Sequence, residues 1–185
     1  DRRRYKPPSL RSPMSPPPSE TNTKTMDNLI IRQGVEEDIP QVLEMITELA
    51  VFEKAPSSAV RVSEESMRRN GFGPNAVFKF LIGEVDGVTA AFALYYTAYS
   101  TWTGPAFHLE DLYVKERFRS QGIGRQMFND IIDMYHDSEC ERLEWIVLDW
   151  NTNAINFYKS IGADISSEWL TCQIHKSSIK LASEH

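Results

Sequence analysis

Between Phe118 and Arg125 the chain reads Phe-Arg-Ser-Gln-Gly-Ile-Gly-Arg, after an apolar run and before a stretch with helical periodicity. Gly122 and Gly124 lack side chains, so backbone N–H groups there can closely approach an anion. The helix predicted from Ile123 to His136 aims its unpaired N–H groups and positive dipole end at the same place. Arg119 and Arg125 add charge at the rim. The Lys-Ser/Thr of a P-loop is missing, and Met127 stands where a dinucleotide fingerprint needs its third glycine or alanine. The residues therefore suit a phosphate-bearing ligand other than a nucleoside triphosphate or NAD. They equally suit a glycine-rich turn that caps a helix and binds nothing.

Other chemistry is sparse. His108, His136, His175 and His185 show no metal-ligand spacing, and neither Cys140 nor Cys172 sits beside one, so no metal site is expected. Without a CxxC pair, a reduced cytoplasmic setting is the simpler reading. No Gly-x-Ser-x-Gly elbow or Cys–His pair offers covalent catalysis. Glu110 and Asp111 are adjacent in a predicted strand, where alternation sends their side chains to opposite faces and forbids a carboxylate dyad. Either one can be an ordinary strand charge.

The elements that must position these residues follow from the pattern. At 185 residues and 41% hydrophobic content, one domain with a full core is expected. No run approaches the ~20 apolar residues of a membrane span, and the start shows no apolar signal region. Residues 1–26 hold six of the ten prolines, six Lys/Arg and two Asp/Glu, net +4, and leave the remainder at net −10. Such a tail is expected to be disordered, with residues 27–185 forming the domain. Strands are predicted at Leu29–Ile31, Val77–Val85, Val88–Tyr99, Phe107–Val114, Leu143–Leu148 and Trp169–His175. Helices are predicted at Glu36–Phe52, after Ser63 to near Gly71, at Ile123–His136 and at Asn153–Ser160. Asp86-Gly87 marks a hairpin. Helices and strands around a mixed sheet make an α+β layered fold.

The order helix, hairpin, long strand, Arg-x-x-Gly-x-Gly, helix, strand, then Asn-Phe-Tyr resembles the GNAT superfamily of acyl-CoA-dependent N-acetyltransferases. More narrowly, it resembles the diamine acetyltransferase family. The residues that carry the resemblance are Glu48–Lys54, Gly71-Phe72-Gly73, Leu109–Val114, and Asn156-Phe157-Tyr158-Lys159 with Gly162-Ala163. Tyr99–Trp102 and Val147–Asn151 are closer to its thialysine N-acetyltransferase branch. The likeness spans about residues 28–175. It implies splayed central strands, acetyl-CoA as donor, and a homodimer with the acceptor site near the interface. The pyrophosphate would lie on Gln121, Gly122, Ile123, Gly124 and Arg125, with Arg119 and Ser120 alongside. Ser120 stands where the family commonly has a glycine. The pantetheine arm would pair with the strand edge at Leu112, Tyr113 and Val114, with Asn151, Thr152, Asn153 and Ala154 on its other side.

The resemblance also implies roles. An aliphatic amine has a pKa of about 10 and must lose a proton before attack. Glu110 matches the family's base, acting through a water, and Tyr158 matches the acid that meets the departing thiolate. Backbone N–H near Tyr113 or Val114 would polarise the thioester carbonyl. Tyr158 can instead simply pack its ring on the sheet. Phe52, Glu53, Asp111, Glu144, Trp145, Glu168 and Trp169 match or neighbour positions lining the acceptor channel, where aromatic faces and carboxylates hold an ammonium. An acidic domain suits a small cationic amine; no nucleic-acid or membrane partner is expected. Three readings stand at this level. One is a small-amine N-acetyltransferase of thialysine or polyamine type, another a protein-lysine acetyltransferase, and the third a non-catalytic acetyl-CoA binder.

Overall fold

Alternating apolar residues from Phe80 to Val114 build the sheet. β1 (Leu29–Gln33) pairs antiparallel with β2 (Lys79–Val85), which turns into β3 (Val88–Ser100). The turn residues Asp86 and Gly87 both take left-handed φ, 51° and 75°, as a two-residue hairpin demands. β4 (Gly104–Val114) returns antiparallel to β3. The computed structural model describes residues 28–168 and 170–175, so the expected tail and Trp169 lie outside the described residues. The strand order is β1-β2-β3-β4-β5, with β5 at Arg142–Trp145. Glu141 N–H donates to the Pro105 carbonyl (3.1 Å) and Glu144 meets His108, so β5 runs parallel to β4 and the sheet is mixed.

Helices cover both faces. One helix was expected from Glu36; a 3₁₀ turn at Glu36–Asp38 instead precedes α1 (Ile39–Phe52), with Pro40 in the first turn of α1, where its missing N–H costs nothing. α2 (Glu64–Phe72) starts where Ser63 Oγ accepts from the Ser66 N–H (3.2 Å). Ile39, Val42 and Met45 of α1 and Met67 of α2 pack on Phe80, Ile82, Phe92 and Tyr113. Each such side chain contributes about 1.5–3 kcal/mol by leaving water. α3 (Ile123–His136) buries Ile123, Met127, Phe128 and Ile131 against the other face, beside Leu112 and Val114. Arg32 joins β1, β2 and the approach to α1 by donating to both Asp38 oxygens (2.7 and 2.8 Å) and to Glu84 (2.6 Å).

The register between β3 and β4 slips once. Tyr95 pairs with Leu109 and Leu94 with Asp111, leaving Glu110 as the extra residue of a β-bulge. Paired residues share a face, so His108, Asp111 and Tyr113 lie with Tyr96, Leu94 and Phe92 on the α1 side. Glu110 also turns to that side, where it accepts a hydrogen bond from the Tyr96 hydroxyl. This corrects the expectation that Glu110 and Asp111 face opposite ways: strict alternation fails where the strand carries one residue more than its partner.

The described chain divides into two compact units between Glu144 and Trp145. In the second, α4 (Thr152–Ser160) begins one residue ahead of expectation, with Asn151 as its N-cap. The strand predicted to reach Leu148 ends at Trp145; Ile146 is 71% exposed, and residues 146–148 carry no strand pairing. Nor do residues 170–175 form the last predicted strand. Leu170 and Ile174 are 88% and 71% exposed there, and apolar alternation without a paired neighbour does not make a strand.

Candidate active site

The glycine-rich turn before α3 folds as its composition predicts. α3 opens at Gly122 (φ 84°), no side chain caps it, and its first closed turn is Gln126 N–H to Gly122 O (3.0 Å). The N–H groups of Ile123 and Gly124 precede that first closed turn, at the positive end of the helix. Ser120 is also left-handed (φ 62°), which is the physical reason a glycine suits that position. Alternating handedness across Ser120 to Gly122 makes a concave row of N–H groups suited to an anion. Gln121 donates from its side chain to Arg117 O (3.2 Å), leaving the concavity to the backbone. Arg119 turns away from the rim: its Nε donates to Val114 O (3.0 Å), and its guanidinium lies over the rings of Phe52 (4.8 Å) and Tyr113 (5.3 Å).

β4 offers an edge to the same region. β3 takes one edge of Leu112, Tyr113 and Val114. β5 starts beside Pro105, and four residues span only about 13 Å, so it does not extend to those three. A cleft of about 950 Å³ lies between α1 and the end of β4, with Phe52, Glu48 and Tyr113 among its walls. Burial and then Glu48 raise the Tyr113 hydroxyl pKa.

Carboxylates gather where β4 bulges. Burial pushes the Asp111 carboxyl up to about 7, and the charges of Glu110 and then Glu53 add to the shift. Glu53, at the C-terminal end of α1, is itself raised by desolvation. Glu110 Oε2 accepts from the Tyr96 hydroxyl (2.9 Å) and lies 3.5 Å from His108 Nε2. Burial, then Glu110, pushes the Tyr96 hydroxyl up to about 12, so it stays the donor. Glu144 meets His108 Nδ1 (3.4 Å) and Arg142 Nη2 (2.7 Å). Of the acceptor-channel residues expected from sequence, Glu53 and Glu110 lie near enough to Asp111 for their charges to raise its pKa, and Glu144 meets Glu110 through His108. Phe52 adjoins Glu53 and carries Arg119 on its face.

In the second unit, Tyr158 sits on α4 with its ring edge-on to Trp145 (4.9 Å), and desolvation raises its hydroxyl pKa. It therefore stays protonated at neutral pH. Asn151 Oδ1 accepts from the Ala154 N–H (3.3 Å) and caps α4, so its side chain has a structural use. Thr152 and Asn153 fill the exposed first turn of α4, and Glu168 is exposed. Sequence reasoning missed His108, Tyr96 and Arg142. His108 stands two residues before Glu110, a same-face spacing on a strand, but histidines weighed only as metal ligands do not reveal it. Among the described residues no group of three or more His, Cys, Asp or Glu is arranged to hold a metal, and no helix is long and apolar enough to cross a membrane.

The Acetyltransferase (GNAT) family profile matches residues 43–163. Thialysine N-epsilon-acetyltransferase of Sus scrofa is 40% identical over 146 residues, covering 75% of this chain and 85% of its own. Spermidine/spermine N(1)-acetyltransferase-like protein 1 of Homo sapiens is 36% identical over 152 residues, 78% of this chain and 22% of its own. A solved aminoglycoside acetyltransferase from an uncultured soil metagenomic sample shares the fold, with a TM-score of 0.66 at 17% identity over 82% of this chain and 99% of its own. A profile that spans α1 to α4, with relatives at this identity, places the chain in the GNAT acetyltransferase family, on its diamine acetyltransferase side, as an N-acetyltransferase.

Proposed function

We propose that the chain transfers acetyl from acetyl-CoA directly to the side-chain amine of a lysine-like amino acid, with thialysine as the type substrate. The observation that carries this reading is the bulge at Glu110, which sets two carboxylates on one face beside Glu53, next to the β4 edge and the N–H cradle of α3. Bound there, acetyl-CoA supplies the activated acetyl thioester. The N–H groups of residues 121–125 hold its pyrophosphate, and Leu112–Val114 pair with its amide-bearing arm as a strand would. Residues 151–154 line the arm as the family resemblance implies. Glu53 and Asp111 hold the ammonium, and Phe52, Glu144, Trp145, Glu168 and Trp169 complete the acceptor channel. Glu110 draws a proton from the ammonium through a water, and Tyr158 holds a proton for the departing thiolate. The resemblance further assigns a homodimer, and the cysteine usage a cytoplasmic setting.

The preference for an amino acid over a polyamine rests on relatives such as the pig enzyme. The cluster of carboxylates favours a polyamine as the second reading, because it answers more than one ammonium. Release of CoA from acetyl-CoA in the presence of thialysine, lysine, spermidine, spermine or a lysine peptide tests the choice. Turnover with thialysine or lysine is expected. A spermidine preference would move the chain to the polyamine reading, and silence on all five would overturn catalysis on small amines.

A further inference from the structure

Acetylation of an ammonium by a thioester leaves one proton over. The nitrogen gives up two as the C–N bond forms and the C–S bond breaks, and the thiolate takes one back. If Glu110 is the base, it must hand that remaining proton on before the next turnover. What stands behind Glu110 is therefore part of the chemistry.

His108 stands there, its side chain only 15% exposed, held on three sides. From β3, the Tyr96 ring stacks on the imidazole (centroids 4.8 Å apart, planes 26° apart). From β5, Glu144 Oε1 faces Nδ1 at 3.4 Å, and Arg142 fixes the other Glu144 oxygen at 2.7 Å. From β4, Glu110 Oε2 faces Nε2 at 3.5 Å. Of the two nitrogens only Nδ1 has hydrogen-bond geometry to its carboxylate, so in the neutral ring the hydrogen is assigned to Nδ1, toward Glu144, and Nε2 faces Glu110 without one. The bulge makes this possible, because it turns Glu110 to the His108 side of the strand.

We propose that His108 is the proton-relay partner of Glu110, a positioning residue that acts through the base rather than on the substrate. This rests on the reading of Glu110 given above. The proton that Glu110 takes from the ammonium passes to Nε2, forming an N–H bond there and restoring the carboxylate. The resulting imidazolium lies between the carboxylates of Glu110 and Glu144 until water or buffer removes the proton. Tyr96 serves the same step: its hydroxyl donates to Oε2 and its ring sets the plane of the imidazole. No metal, redox partner or covalent intermediate is needed.

Steady-state kinetics with acetyl-CoA and the best amine, on His108→Phe, His108→Ala and Glu110→Gln, test this. His108→Phe keeps a ring against Tyr96 and removes both nitrogens. It is expected to lower kcat about tenfold or more, with KM for the amine little changed. His108→Ala is expected to lose as much and to regain rate as imidazole buffer is added, in proportion to its neutral form. Glu110→Gln is expected to lose activity and to gain nothing from imidazole. A His108→Phe variant with wild-type kcat and pH profile, beside an impaired Glu110→Gln, would overturn the relay and leave the Glu110 reading standing. A wild-type rate in Glu110→Gln would overturn that reading and the relay with it. Acetyl-CoA binding by each variant checks that it is folded. Loss in His108→Ala with no imidazole rescue and full activity in His108→Phe would make the ring a packing element and overturn the relay.

Discussion

Glu110 and Asp111 are consecutive in β4 and face the same side of the sheet. One is half-exposed and hydrogen-bonded to Tyr96; the other is desolvated, its carboxyl pushed up to about 7. Two carboxyls with different surroundings at one spot are what an enzyme needs to hold a cation with one and move a proton with the other.

Asp111 makes stability depend on pH. Its pKa rises from 3.8 to about 7 on folding, so the folded chain binds more protons than the unfolded chain between those values. Stability therefore falls as pH rises through that window. Asp111→Asn removes the penalty and is expected to stabilise the chain by on the order of 1–3 kcal/mol at about pH 8, with the gain gone near pH 4. Thermal melts at the two pH values check this.

The loop before α3 yields a pair of opposite outcomes. Ser120 holds a left-handed φ that glycine adopts without steric cost, so Ser120→Gly is expected to be neutral or to stabilise by up to about 1 kcal/mol, with acetyl-CoA binding kept. Gly122→Ala places a side chain at φ 84° and is expected to cost about 1–2 kcal/mol and to weaken acetyl-CoA binding. Denaturant melts and CoA titrations on both variants separate the effects.

Arg32 and Asp38 give a test of the fold away from the site. Arg32 holds the Asp38 carboxyl below the usual carboxylate range, first by hydrogen bonding, with the Val35 N–H assisting. Arg32→Met leaves that carboxylate with little but the Val35 N–H and is expected to cost about 1–3 kcal/mol, between the exposed-pair and buried-pair ranges because Arg32 is one-third exposed. Asp38 contributes stability above the unfolded carboxylate pKa and loses it as pH falls through the lower folded value. The difference between variant and wild type therefore shrinks in acid, which melts at about pH 7 and pH 3 would reveal.

Much of this was legible in the sequence, and the failures have physical causes. The Gly-x-Gly turn, α3 from Ile123 to His136 and the Asp86-Gly87 hairpin follow from local rules, since glycine, turn chemistry and apolar periodicity act within a few residues. The bulge does not, because it is a mismatch between two strands and leaves no mark in either. With the bulge unseen, the strand parity of Glu110 came out wrong, and His108 and Tyr96 went unnoticed as its partners. Leu148 and Ile174 misled in the opposite way: alternating apolar residues suggested strands where no paired neighbour exists among the described residues.

Tyr158 provides a kinetic prediction. Desolvation keeps its hydroxyl protonated, so Tyr158→Phe removes a proton donor with little change in shape. It is expected to lower kcat about 10–100-fold while acetyl-CoA affinity stays within about twofold. Stopped-assay CoA release and calorimetric CoA binding check the two halves.

The most direct test is the rate of CoA release with a saturating amine by Glu110→Gln beside wild type, across pH. General-base loss predicts kcat lower by about 100-fold or more near neutral pH, with the residual rate rising toward higher pH as free amine becomes available, and acetyl-CoA binding unchanged. Equal rates in the two proteins across that range would contradict the account.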